Sequence, residues 1–240
     1  MNLIQKGHRH THRGIIGIES AIVLIAFVIV AAALAFVVLN MGFATTQKAK
    51  TTIISSLGEA SSSLEISGKI TAVANVPKAL VNATGIPLKI TSGGSSINLD
   101  NSTISIEYLS NAVEYDNILA GTMIGRTYSN MSQAFQDADD NTFGEGIWQT
   151  TRNPVNGTDA DPEGAITRTH AIIYWTIAAQ SPPNAILEKG EHAVIGIAYN
   201  NADRPAALDK IRAEVLLSSG ATMTVERNIP NLTTMIVDLG

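Results

Sequence analysis

The stretch HRGIIGIESAIVLIAFVIVAAALAFVVLN, His12 to Asn40, decides how this chain is built. Within it, Ala21 to Leu39 are 19 consecutive apolar residues. As a helix they extend about 28 Å, roughly the hydrocarbon thickness of a bilayer. One carboxylate, Glu19, stands at the entrance to the run, and no charge stands inside it. An ordinary secretory signal has a shorter apolar core followed by a small-residue cleavage site. Here the run is longer, and the LNMGFATTQK that closes it offers no persuasive A-x-A site. The run reads as a segment the protein keeps.

Residues 1–14 hold Lys6, Arg9 and Arg13, no acid, and three of the five histidines, His8, His10 and His12. Basic residues on this side leave the N-terminus in the cytoplasm and everything after Asn40 outside. Loss of these three cations would take the formal net charge from −5 to −8. On the other side of the run, Ala49, Ile53, Leu57, Ala60 and Leu64 recur at helical spacing between Ser, Thr, Lys and Glu, which continues the helix. The expectation is a helix from near Ile15 to near Leu64, roughly 75 Å long. A glycine in a helix interior costs about 1 kcal/mol relative to alanine, so Asn40 to Gly42 is expected to bend or loosen it.

From Ile66 the texture changes to short β-branched or alternating runs: EISGKITAVANV, IPLKIT, STISIEYL, AITRTHAIIYWTIAA, EHAVIGIAYN, IRAEVLLS, TMTVERNI and TTMIVDL. Turn-rich pieces such as TSGGSS, QSPPN and NNADRP separate them. Many short strands with this punctuation argue an immunoglobulin-like β-sandwich. The segment Gly121 to Gly164 reads as long loops with a short helix at NMSQAFQDA. The expected fold is therefore α+β: residues 1–14 a basic leader, 15–64 a long hydrophobic N-terminal helix, and 65–240 an all-β sandwich head.

Composition narrows the function. Only 15% of residues are charged, while 18 Ser, 22 Thr and 17 Asn supply an uncharged polar surface suited to an exposed β domain. Cysteine is absent, which removes disulfides, thiolate nucleophiles and thiolate metal sites. No basic stripe with interleaved aromatics occurs, so nucleic acid is not an expected partner. No G-x-S-x-G, P-loop, G-x-G-x-x-G or H-E-x-x-H is present, and beyond the leader only His170 and His192 remain. These observations argue against an enzyme, with His170 expected as a partly buried structural histidine.

Two surface features could still carry chemistry. In DADDNTFGE, Asp137, Asp139 and Asn141 alternate like the start of a calcium loop, but Thr142 stands where glycine is needed and Trp148 where the bidentate acid belongs. Ca²⁺ at these oxygens is an expectation of low specificity, weighed against a solvated acidic loop; no other cofactor is expected. Five N-x-S/T sequons, at Asn82, Asn101, Asn130, Asn156 and Asn231, are glycosylation candidates on an outward-facing domain, with Asn130 and Asn156 in the most loop-like sequence.

The junction Arg13-Gly14-Ile15, with Glu19 fifth from Ile15, resembles the class III signal of the type IV pilin superfamily. More closely, RGIIGIESAIVLIAFVIVAAALAFVVLNMGFATTQKAK is similar to the N-terminal helix of the archaeal flagellins, or archaellins, and LEKGEHAVIGI and GATMTVERNIPNLTTMIVDL to that family's ending. The likeness runs from the leader to near Ala60 and from near Ile186 to the end. It implies cleavage between Gly14 and Ile15 by a prepilin-type signal peptidase and a precursor held in the cytoplasmic membrane. It also implies a homo- or hetero-oligomeric helical filament on the cell surface used for motility, in which the acid at Glu19 registers one subunit on another. The alternative is that Glu19 merely favours the positive N-terminal end of the helix dipole, worth about 0.3–1 kcal/mol. Two other functions fit the same helix: an adhesive type IV pilin subunit, and a membrane-anchored extracellular binding module.

Overall fold

The computed structural model describes residues 13–61, 64–139, 155, 168–218 and 221–240. The chain divides into one unit up to Ser55 and a second from Ser56 to Gly240.

Helix α1, Arg13–Ser61, is one uninterrupted element of 49 residues, about 74 Å at the ordinary rise. The helix runs through Asn40 to Gly42, where a bend or loosening is expected from the sequence, without interruption. A single glycine penalty is small against the alanines and long apolar residues on either side. Past Met41 the sequence turns polar without ending the helix, and its threonine hydroxyls are satisfied by the helix's own backbone. Thr45, Thr46, Thr51 and Thr52 donate their hydroxyls to the carbonyls of Met41, Gly42, Gln47 and Lys48, four residues back, at 2.7–2.9 Å. The helix stops short of its expected end at Leu64. Three successive serines, 61–63, are weak helix formers, and Leu64 instead opens strand β1, Leu64–Ile66, where it is buried opposite Ile90.

The head then lays down its strands in order. These are β2 (Thr71–Asn75), β3 (Leu80–Ile90), β4 (Ile97–Asn98), β5 (Ile104–Ser110), β6 (Glu114–Tyr115) and β7 (Leu119–Thr127). Helix α2 (Met131–Asp139) follows, then β8 (His170–Ile177), β9 (Ile186–Leu187), β10 (His192–Ala198), β11 (Lys210–Leu217), β12 (Met223–Asn228) and β13 (Ile236–Asp238). The larger sheet has the order β13-β2-β3-β10-β8-β7, with β1 also on β3; the smaller is β12-β11-β5-β6, and β4 and β9 form a separate ribbon. All pairs are antiparallel except β7 with β8.

Strand alternation makes the large sheet two-faced. Ile173 and Trp175 on β8, with Ile195 and Ile197 on β10, join Ile106 and Tyr108 of β5 and Ile211, Ala213 and Val215 of β11 in one buried cluster. That cluster is the sandwich interior. Ile172 and Tyr174, the alternate residues of β8, point the other way and pack with Ala134, Phe135 and Ala138 of α2. Gly196 on β10 makes room for this layer, since a Cβ there would lie 3.1 Å from Phe135 Cζ.

The short helix expected at NMSQAFQDA is α2, started by Asn130, whose side chain accepts from the Gln133 amide at 2.9 Å. The loop reading of Gly121 to Gly164 needs correction at its start, which is the body of β7. Its Gly121 and Gly125 and the small Ala120 hide the alternation of buried Leu119, Gly121 and Met123. Residues 140–154 and 156–164 of that stretch lie outside the described residues.

Candidate functional site

The feature that sets this chain apart is α1. Every described side chain from residue 17 to 57 is exposed, including Phe27 at 77% and Leu34 at 61%. Nineteen successive apolar residues on all sides of a helix cannot be left in water. At about 25 cal/mol per Å² of apolar surface, this helix carries a large driving force toward lipid or toward other apolar helices. It is the one described helix long and apolar enough to cross a membrane.

Charge on α1 is sparse and polarised. Arg13, Gly14 and Ile15 form its first residues, so the expected cleavage junction lies at its N-terminal end. Glu19 follows one turn later and is exposed. The next ionisable residues are Lys48 and Lys50, beyond the apolar run. None of these three has an ion pair within the described residues. The sequence carries a signal for the two lysines: between Glu19 and Lys48 no Asp, Glu, Lys or Arg occurs.

The sequons fall in different environments. Asn82 is 3% exposed, in β3, and its Oδ1 accepts from Arg204 Nη1 at 3.0 Å. The expectation of a glycan there is corrected, because the folded head leaves its amide no space. Asn101, Asn130 and Asn231 are exposed, and Asn156 lies outside the described residues. Of the calcium candidates, Asp137 is engaged by the Arg126 guanidinium, which also stacks on the Tyr128 ring at 5.2 Å. Asp139 is the last residue of α2, and Asn141 lies outside the described residues. Among the described residues no three His, Asp or Glu gather into a metal-ligating group.

The head's buried polar groups serve structure. Asp203 accepts from Tyr115 Oη and Thr169 Oγ1, each at 2.8 Å. Tyr199 Oη donates to Thr84 Oγ1 at 3.0 Å between the sheets, and burial pushes its phenol up to about 12. His170 is half-buried, its Nδ1 bonded to the Arg168 carbonyl at 2.5 Å.

A long helix apolar on every side, carried by a chain whose remainder is a β-sandwich, defines a pilin-like structural subunit. The chain belongs to the archaeal-type flagellin family, whose model matches residues 14–227. It is 34% identical over 221 residues to a probable flagellin of Aeropyrum pernix, a match covering 91% of this chain and 92% of that one. A flagellin of Saccharolobus shibatae is 36% identical over 128 residues, 51% of this chain and 41% of that relative. The fold is similar to a crystal structure of an archaeal flagellin from Methanocaldococcus jannaschii, with TM-score 0.54, 13% identity, and coverage of 74% of this chain and 96% of that one. It is also similar to the subunit in the archaeal flagellum of Methanospirillum hungatei, with TM-score 0.54, 21% identity, and coverage of 89% and 93%. The protein is thus a structural subunit of a surface filament, the archaeal flagellum, and not an enzyme.

Proposed function

We propose that the chain is made as a precursor spanning the cytoplasmic membrane through Ala21 to Leu39, is cut between Gly14 and Ile15 by a prepilin-type peptidase, and is then drawn into the filament. In that filament α1 packs against copies of itself as the core and the β-sandwich forms the outer surface. The observation that carries this reading is the exposure of every described α1 side chain from residue 17 to 57. Lipid covers such a surface in the precursor and neighbouring helices cover it in the product. Ala31, Ala32, Ala33 and Ala35 suit the second state, since small residues let helix backbones approach closely.

Glu19 registers each subunit on its neighbours, because a carboxylate within a packed apolar bundle is tolerated only beside a cation or water. Glycans on the outer surface are carried by exposed Asn101, Asn130 or Asn231. The adhesive-pilin reading shares the helix and the processing, and the family match favours the motility filament over it.

N-terminal sequencing of subunits from purified filaments tests the proposal. Ile15 as the first residue supports it, whereas a subunit retaining Met1 and its leader in a monomeric membrane protein sinks it. The Glu19→Ala variant should be processed normally and fail to assemble; normal filaments from it would remove the registration role.

A further inference from the structure

The partner of Glu19 can be narrowed from the charge pattern of α1. On the 49-residue helix, Glu19 stands before the apolar run and Lys48 and Lys50 are the first cations after it. They lie 29 and 31 residues further on, about 44 and 47 Å along the axis, so they cannot meet Glu19 within one helix. Each is exposed and without an ion pair in the described residues.

Packing α1 among its copies withdraws Glu19 from water, and a desolvated carboxylate requires an opposite charge. All copies enter the membrane with the same polarity, so their helices are parallel. Parallel helices in register would set Glu19 beside Glu19 and lysine beside lysine, which is repulsive. An axial offset replaces both repulsions with an attraction. Lys48 and Lys50 are two positions apart, about 200° around the helix, so between them they present an ammonium group to neighbours on opposite sides.

We propose that Glu19 of one copy is paired with Lys48 or Lys50 of another, and that this pairing fixes an axial offset of about 44–47 Å between contacting α1 helices. The inference rests on the filament reading above and adds to it the cation that registration uses. The competing cation is the α-amino group that cleavage creates at Ile15, one turn from Glu19.

Charge reversal in cells that build the filament separates these partners. Leader removal is followed by subunit mass and assembly by filament yield for the wild type, K48E/K50E, E19K and E19K/K48E/K50E. The expected result is loss of filaments from processed K48E/K50E and from processed E19K, with filaments regained in the triple variant. Normal filaments from K48E/K50E would overturn the lysine pairing and leave the filament reading intact. Normal filaments from E19K would remove both the pairing and the registration role. On wild-type filaments, carbodiimide coupling followed by peptide mass mapping should join Glu19 to Lys48 or Lys50 of a second subunit; a Glu19 link to the Ile15 amine would overturn the assignment.

Discussion

Arg204 donates from Nη1 to Asn82 Oδ1 across 3.0 Å, joining the loop after β10 to the start of β3 with both residues buried. The sequon at Asn82 is thus spent inside the head. Replacing Asn82 with alanine removes an acceptor from a buried guanidinium, at a cost of about 1–3 kcal/mol. Urea unfolding of the head should show the loss, and glycopeptide mapping should find Asn82 bare. A glycan on Asn82 of natively folded protein would contradict this placement.

Glu191, 3% exposed, holds the approach to β10 from both sides. Its carboxylate accepts from the Ala179 amide at 2.7 Å and the Glu188 amide at 2.8 Å. Bonds to a charged acceptor contribute about 1.5–3 kcal/mol each. Glu191→Ala should therefore destabilise the head by about 3 kcal/mol or more, and Glu191→Gln, which keeps one acceptor oxygen, by less. Equal effects from the two variants would mean that the acceptor oxygen glutamine retains contributes nothing and that the loss lies in the carboxylate itself.

The contact of α2 with the large sheet depends on one missing methyl group. At Gly196 a Cβ would sit 3.1 Å from Phe135 Cζ, closer than an ordinary contact, and 3.4 Å from Tyr174 Cε1, and both rings are buried. Gly196→Ala should cost about 1–3 kcal/mol through overpacking. The double variant Gly196→Ala with Phe135→Leu should recover part of that loss in thermal unfolding, because the smaller side chain vacates the clash.

His170 gives the head a pH dependence of predictable sign. Burial pushes its imidazole below the ordinary value of 6.5; the Arg168 charge adds to this and the bond to the Arg168 carbonyl opposes it. The neutral Nδ1–H tautomer also accepts Arg168 Nε–H on Nε2 at 3.1 Å, a bond that protonation would destroy. The folded state therefore binds fewer protons than the unfolded state. The stability linked to His170 is complete above about pH 6.5 and is lost as pH falls through that value toward the lower folded pKa. Melting temperatures compared with His170→Gln should diverge on the acid side only; divergence on the alkaline side would refute the assignment.

The elements that can be read from the sequence are those whose pattern has a single period. Ala21 to Leu39 admits nothing but a helix, and β11 alternates cleanly because one of its faces packs into the sandwich. Strand β7 escaped because Gly121 stands between Leu119 and Met123 among its buried positions and Ala120 beside it is apolar, so it has the right parity with little hydrophobic contrast. Leu64 fits the helical stripe, yet its pairing with Ile90 in β3 is a distant contact that no local period encodes. The same holds for Asn82, whose sequon reads as exposed until Arg204, more than a hundred positions later, folds over it. On α1 the carboxylate was visible at once as an anomaly in an apolar run. Lys48 and Lys50 stand in ordinary polar sequence and gain meaning only because α1 is one continuous helix that sets their distance from Glu19.

The division of the chain at Ser55 and Ser56 predicts how its parts behave in solution. The second unit owns the whole sandwich core, with Trp175, Tyr108 and Tyr199 fully buried inside it, whereas the exposed apolar surface of α1 belongs chiefly to the first. A chain of residues 56–240 should therefore be soluble without detergent and monomeric, and should unfold in one cooperative transition as expected of a single domain of this size. The full chain without a filament to join should need detergent or lipid, because the run Ala21 to Leu39 remains uncovered. Sedimentation and thermal melts of the two forms check both halves of the prediction. A truncated head that aggregates or melts without cooperativity would mean that α1 supplies part of the core, against the burial found here.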